Sequence, residues 1–186
     1  MINFNLRLEN EHILLRPLED SDLEKYLELT KEADMWRFYT HDLSTIEGLE
    51  TWAKPAFEEE RLQFTVIDKK TDKIMGSTAF GNISERDKRL EIGWTWLGKQ
   101  YQGIGVNGIV KALQLTYCFE TLELERVEFK TDVLNSQARR SLSNIYAIEE
   151  GVLRSHTLMT NGRRRDTIYF SILKQEWAYV KRENDW

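Results

Sequence analysis

Hydrophobic positions along this chain change their period several times, and each change marks an element. Ile13, Leu14, Leu15 and Leu18 surround Arg16-Pro17, a short strand ended by proline. Ser21 and Glu24 then stand three residues apart, the pair that satisfies free N–H groups at a helix start, so a helix is predicted to about Lys31. The same box recurs at Ser44 and Glu47 before Leu49, Trp52 and Ala53, a second helical stretch that Pro55 interrupts or kinks before it runs out near Arg61. From Phe64 the rhythm alternates. Phe64 to Ile67, Ile74 to Phe80, and Leu90, Ile92, Trp94 and Trp96 against Glu91, Gly93 and Thr95 predict three consecutive strands. Their connections, Asp68 to Asp72 and Gly81 to Lys88, are short and polar, as antiparallel neighbours require.

After Gln100-Tyr-Gln-Gly-Ile-Gly105 the helical period returns, with Val106, Ile109, Val110, Leu113 and Tyr117 on one face of a helix reaching about Glu120. Val127, Phe129 and Thr131 alternate with Glu128, Lys130 and Asp132, which completes a strand–helix–strand crossover. Asn135 caps a further helix to about Tyr146. Gly151 to Met159 and Thr167 to Leu173 read as a hairpin across Thr160-Asn161-Gly162, with a short helical tail beyond Gln175. No repeat and no linker divides the chain, so one mixed α/β domain over residues 1–186 is expected, antiparallel first with one parallel step in the middle.

Composition narrows the functional classes. Hydrophobic residues make up 41%, with six Trp, seven Tyr and eight Phe, enough to bury a core and to exclude a disordered or collagen-like chain. No apolar run is long enough to span a bilayer, and Glu9, Glu11, Glu19 and Asp20 break any signal-peptide centre, so a cytoplasmic protein is expected. Cys118 is the only cysteine, which forbids an internal disulfide and a multi-cysteine zinc site; between Tyr117 and Phe119 it reads as inert packing, and no metal is expected. A net charge of −5 disfavours nucleic-acid binding through a broad basic face and makes a cationic substrate easier to accommodate.

The segment Gln100 to Gly108 carries the chemistry, because glycines at the mouth of a helix let N–H groups and the positive dipole end meet an anion. The plainest reading is a connecting turn. A second takes Gly103-Ile-Gly105-Val-Asn-Gly108 as a dinucleotide fingerprint with Asp132 ending the next strand, but a nicotinamide fold needs successive parallel strands and this chain offers one crossover. No Lys-Ser or Lys-Thr follows the glycines, which excludes a Walker loop.

A third reading takes the whole string. Gln100-x-x-Gly103-x-Gly105 between strand and helix resembles the pyrophosphate loop of the GNAT superfamily of acyl-CoA-dependent N-acyltransferases. The resemblance spans nearly the entire chain: Leu15-Arg16-Pro17-Leu18, Glu91 to Leu97, Glu125 to Asp132, Asn135, Glu150 to His156, Arg165-Asp-Thr167 and Glu176-Trp177. These are similar to the RimJ/RimL branch, whose members acetylate N-terminal amines of ribosomal proteins or diverse small amines. The resemblance implies a twisted, mostly antiparallel sheet of about seven strands with one parallel splayed pair, helices on both faces, and acetyl-CoA as cosubstrate. It implies that amides of Gln102, Gly103, Ile104, Gly105 and Val106, in a loop bounded by Gln100 and Asn107, hold the pyrophosphate. Trp96, Leu97 and Gly98 would pair with the pantetheine arm, Asn135 would bond near it, and Arg140 or Lys99 would neutralise a phosphate. The partner would be an amine acceptor, a ribosomal-protein N-terminus or a polyamine, with a homodimer possible in this family and neither nucleic acid nor membrane involved.

The family's proton donors are missing. A Tyr seven residues after the capping Asn and a Ser three after it are replaced by Leu142 and Ala138, and the family's Gly near the helix end by Tyr146, which narrows the cleft or supplies an alternative hydroxyl. Glu91 and His156 are the candidate bases, acting through water on an ammonium. With Cys118 placed as a core residue, direct attack by the amine in a ternary complex is favoured over an acyl-enzyme. Ala138, Leu142 and Tyr146 favour the rival reading, an acyl-CoA sensor or scaffold that has lost catalysis. Trp94 and Trp96, in phase with Leu90 and Ile92, read as core; Arg163 to Arg165 read as solvated charge able to dock anions; Asp42, Glu47 and Glu50 would attract a cationic amine.

Overall fold

A computed structural model describes residues 2–186. The alternating segments all join one sheet: β1 (Leu8–Glu9), β2 (Ile13–Pro17), β3 (Leu62–Asp68), β4 (Lys73–Ser84), β5 (Arg89–Leu97), β6 (Arg126–Asp132), β7 (Ile148–Leu158) and β8 (Arg164–Leu173). They lie in the order β1-β2-β3-β4-β5-β6-β8-β7. Only β5 and β6 run parallel, joined by the crossover helix α3 (Val106–Thr116); every other neighbour pair is antiparallel. The predicted mixed fold is thus the observed one. Its sheet has eight strands rather than about seven, because the two-residue β1 pairs with β2 without any periodicity to announce it.

Helices α1 (Asp22–Thr30) and α2 (Ile46–Phe57) cover one face, while α3, α4 (Ser136–Asn144) and α5 (Trp177–Glu183) cover the other. The cores divide accordingly. Leu90, Ile92, Val127, Phe129, Ile168 and Phe170 pack with Val106, Val110, Leu142 and Val180 on the α3 face. Tyr26, Trp36, Leu49, Trp52 and Trp96 pack on the α1–α2 face. No described helix is long and apolar enough to cross a membrane.

Both predicted capping boxes fail, for different reasons. Ser21 makes no side-chain cap bond, since α1 is anchored instead by its first residue. Asp22, fully buried, receives Arg16 through two bonds of 2.7 Å, Thr65 Oγ1 at 2.7 Å and the Glu19 amide at 3.0 Å. At α2 the cap slips by one residue: Thr45, not Ser44, accepts from the Gly48 amide at 3.1 Å. Pro55 stays inside α2, which ends at Phe57 rather than Arg61. The predicted α3 stops at Thr116 and continues as one wide turn, Tyr117–Thr121.

Burial raises the pKa of Asp22, but the bonds from Arg16, the Glu19 amide and Thr65 outweigh it and hold the carboxyl below its ordinary range. Its stabilisation is therefore present above the unfolded carboxyl pKa and is lost as pH falls through the lower folded value. Asp22→Asn leaves Arg16 half-buried without its carboxylate and should cost about 3 kcal/mol, read from the denaturant midpoint at pH 7, with the deficit shrinking in acid.

Candidate active site

Two irregularities in β5 create an opening in the sheet. Its parallel pairing with β6 covers only Arg89↔Arg126, Leu90↔Val127 and Glu91↔Glu128; beyond Glu91 the two strands part, and that edge of β5 has no strand partner. On its other edge, pairing with β4 slips between Ser77 and Ala79, where Trp94 takes a left-handed φ of 50°. The extra residue reverses the alternation. Trp96 therefore joins the α1–α2 core and Leu97 the α3 core, so the expected phase of Trp96 with Leu90 and Ile92 holds only up to the bulge. Trp94 lies over Gly81, where a Cβ would meet its ring at 2.5 Å, and stays partly exposed.

The bulge is clamped from both faces. Tyr39 donates its hydroxyl to the Thr95 carbonyl at 2.8 Å. From α3, the Lys111 amine bonds Thr95 Oγ1 and Gln114 Oε1, each at 3.2 Å, and Thr78 Oγ1 lies 2.8 Å from Thr95 Oγ1. Lys111 is 4% exposed and has no carboxylate partner among the described residues, and burial drives its pKa down to about 7. It lies off the helix face read from the sequence, so periodicity gave no sign of it.

At the mouth of α3, Gly103 and Gly105 adopt φ of 73° and 91°, which side chains with a Cβ rarely take, and a Cβ at either would meet nothing within 4 Å. Among the described residues the amides of Gly103, Ile104, Gly105, Val106 and Asn107 donate to no protein acceptor. This open row of donors at a helix start fits a diphosphate. The Gln102 amide, expected in the same row, is taken by the Lys99 carbonyl at 3.3 Å, and its side chain donates to the Leu97 carbonyl at 2.9 Å. The Gly98 amide is likewise engaged by Met75 at 2.9 Å, so Leu97 and Gly98 each have one backbone group fewer for a ligand. Gln100 lines a cavity of about 540 Å³ with Lys25, Glu28 and Asp72 rather than joining the amide row. Lys99 is paired with Glu32 at 2.5 Å.

Across the opening, Asn135 caps α4 by accepting from the Ala138 amide at 3.0 Å. Asn107 Nδ2 donates to Ser141 Oγ at 3.0 Å and ties α3 to α4, leaving the Asn107 Oδ1 buried without a partner. Ser141 escaped the sequence reading because it is one position before the expected Leu142, whose side chain is buried. Arg140 is exposed and lines a cavity of about 230 Å³ beside Arg139 and Glu149.

The candidate proton carriers separate by face. Glu91, 3% exposed, accepts from Asn82 Nδ2 at 2.6 Å and Lys130 Nζ at 2.9 Å, both on Oε2. His156 is exposed on β7, with Nδ1 3.1 Å from Thr167 Oγ1, on the same face as Glu91. Tyr146 follows α4 on the opposite face, 37% exposed, its ring 5.4 Å from that of Tyr179. Its φ of 61° explains why a glycine suits that position. Cys118 is fully buried and burial pushes its thiol pKa up, as inert packing requires.

A family model described as "Acetyltransferase (GNAT) domain" matches residues 12–145. YdaF of Bacillus subtilis (strain 168), provisionally named a ribosomal N-acetyltransferase, is 30% identical over 92% of this chain and 97% of its own length. The uncharacterized N-acetyltransferase p20 of Bacillus licheniformis is 29% identical over 93% and 92%. Among solved structures, an acetyltransferase from T. thermophilus superposes with a TM-score of 0.89 at 31% identity, covering 100% of this chain and 98% of its own. A spermidine N-acetyltransferase from Vibrio cholerae, solved with CoA and spermine, shares the fold with a TM-score of 0.75 at 22% identity, over 91% and 99%.

The buried Lys111 predicts a pH dependence. Above about pH 7 the folded chain has released this proton while the unfolded chain keeps it to about pH 10, so this residue makes stability rise with pH, by up to about 1.4 kcal/mol per unit. Cys118 faces it from the following turn and acts in the opposite sense above about pH 8.5. Thermal unfolding compared between pH 7 and 8.5 should show a slope that Lys111→Met flattens, with the variant the more stable at pH 7.

Proposed function

The chain belongs to the GNAT acetyltransferases, and on that premise we propose that it moves an acetyl group from acetyl-CoA to a primary amine, a protein N-terminus or a small amine, by direct attack in a ternary complex. The observation that carries this reading is the row of five unengaged amides at α3 beside a strand pair that parts after Glu91. Gly103 to Asn107 would hold the diphosphate, and the unpaired edge of β5 would take the pantetheine arm. Acetyl-CoA supplies an activated acyl carbon: the new C–N bond forms there as the C–S bond breaks, and the amine's surplus proton is released as the thiolate gains one.

The residues of the chain prepare that exchange. Glu91 keeps Oε1 clear of the Lys130 and Asn82 bonds, so this oxygen can draw a proton from an ammonium through water. Backbone donors along the unpaired edge of β5 are the kind that favour charge building on a carbonyl oxygen. Ser141 accepts from Asn107 and retains its own proton to donate, standing in for the side chains absent at Ala138 and Leu142. A thiol near pKa 8.5 needs modest help to leave. The sensor reading rested on those absences and gains nothing from the comparisons.

Calorimetry should detect binding of CoA and acetyl-CoA. Gly105→Val, which forces a branched side chain into the left-handed region, should weaken it tenfold or more while the fold survives. No heat with either ligand on folded protein would remove the proposal. Glu91→Gln should lower the acetylation rate at neutral pH by about 10² with little change in CoA affinity; an unaltered pH–rate profile would take Glu91 out of the mechanism.

A further inference from the structure

On the α1–α2 face, the opened sheet presents a shelf whose charges do not cancel. Glu91 is paired with Lys130, and Asp132, fully buried, is paired with Arg163. Two guanidiniums are left over. Arg61, 5% exposed at the start of β3, donates one terminal nitrogen to the Trp52 carbonyl at 2.6 Å and stacks 5.4 Å from the Trp52 ring and 4.9 Å from the Trp94 ring. Its Nε is buried with no partner, and no carboxylate lies within ion-pair distance among the described residues. Arg165, 6% exposed on β8, spends Nε on Thr167 Oγ1 at 3.0 Å and has no ion pair among the described residues; Asp132 and Glu91 act on it only at longer range. Lys130 reaches over the same Trp94 ring at 5.7 Å, which joins the two sides of the shelf.

This arrangement reverses two expectations from the sequence: Arg165 is not solvated charge, and the local field is positive although the chain carries −5 overall. Burying a guanidinium without a counter-ion costs several kcal/mol, and burial does lower the pKa of Arg61, to about 10, and that of Arg165. Both stay charged at neutral pH. The phosphates of CoA do not answer them, since the amide row opens α3 on the other face of the sheet.

We propose that Arg61 and Arg165 receive carboxylate groups of the acceptor, so that the amine acetylated by this chain is one with acidic groups close to its nitrogen, such as an acidic peptide N-terminus, and not a polyamine. The inference rests on the acetyltransfer reading of the site. Lys130, held by Glu91, and the ring of Trp94 form the floor between the two arginines, and the guanidinium forks suit bidentate capture of carboxylates.

The test is calorimetric, on the full chain saturated with CoA. The probes are the amidated tripeptide Ser-Glu-Glu, its neutral counterpart Ser-Gln-Gln, and spermidine. Ser-Glu-Glu should bind at least tenfold more tightly than either of the others, and Arg165→Met and Arg61→Lys should each bring its affinity down towards that of Ser-Gln-Gln. Equal affinities, tighter binding of spermidine, or no measurable binding of Ser-Glu-Glu at millimolar concentration overturns the proposal. The comparison on the unaltered chain decides this even where a variant fails to fold. Heat from CoA without a charge preference sinks the acceptor assignment alone, whereas absence of heat from CoA sinks the acetyltransfer reading beneath it.

Discussion

Trp94 adopts its left-handed backbone because β5 contains one residue more than its antiparallel partner can match, and the site is built around that mismatch. On one edge the surplus residue shifts the register with β4; on the other, pairing with β6 has already stopped at Glu91. A ladder that continued to Leu97 would close the sheet and leave no edge for a pantetheine arm. The disruption is stabilised by side chains from both layers: Tyr39 from the α1–α2 side, and Lys111 and Gln114 from α3. Gly81 completes the support by leaving room for the indole. The bulge is thus a packed structure with its own polar interior, and an amine that is costly to bury is part of it.

Charge in this molecule is arranged by layer. The exterior is acidic enough to make the whole chain negative, while the shelf beside Trp94 holds unpaired guanidiniums. A net charge describes long-range attraction, and it is screened over about 8 Å at physiological salt. What a ligand meets inside a cleft is set by the few groups that lack a partner there. Glu91 and Asp132 are acidic, but each is already engaged, so they subtract little from the field of Arg61 and Arg165.

Much of the fold was legible because long periodic segments carry it: the alternation from Phe64 to Trp94, the helical face from Val106 to Tyr117, and the strand around Val127 were each placed correctly. The glycine loop was legible for a physical reason, as Gly103 and Gly105 occupy conformations that other residues avoid. The bulge was hidden because an inserted Trp among Trp and Thr keeps the apolar count unchanged while reversing the faces. Lys111 and Arg165 were hidden because a charged residue in a polar-looking position gives no sign of burial until the neighbouring layers are in place. Ser141 lay one residue from the position where a donor was sought, a difference that only the bond from Asn107 reveals. Tyr146 showed the converse: its strain at a helix end belongs to the backbone, and its hydroxyl is on the wrong side of the sheet for Glu91.

Cys118 has a practical bearing on how such a reaction can be followed. Acetyl transfer liberates a thiol, and the chain's own sulfhydryl is sealed within the α3 core with its ionisation suppressed. A disulfide dye added to a folded sample would therefore encounter liberated coenzyme and little else, so its colour would count turnovers, while slow reaction with the enzyme itself would mark molecules that had come apart.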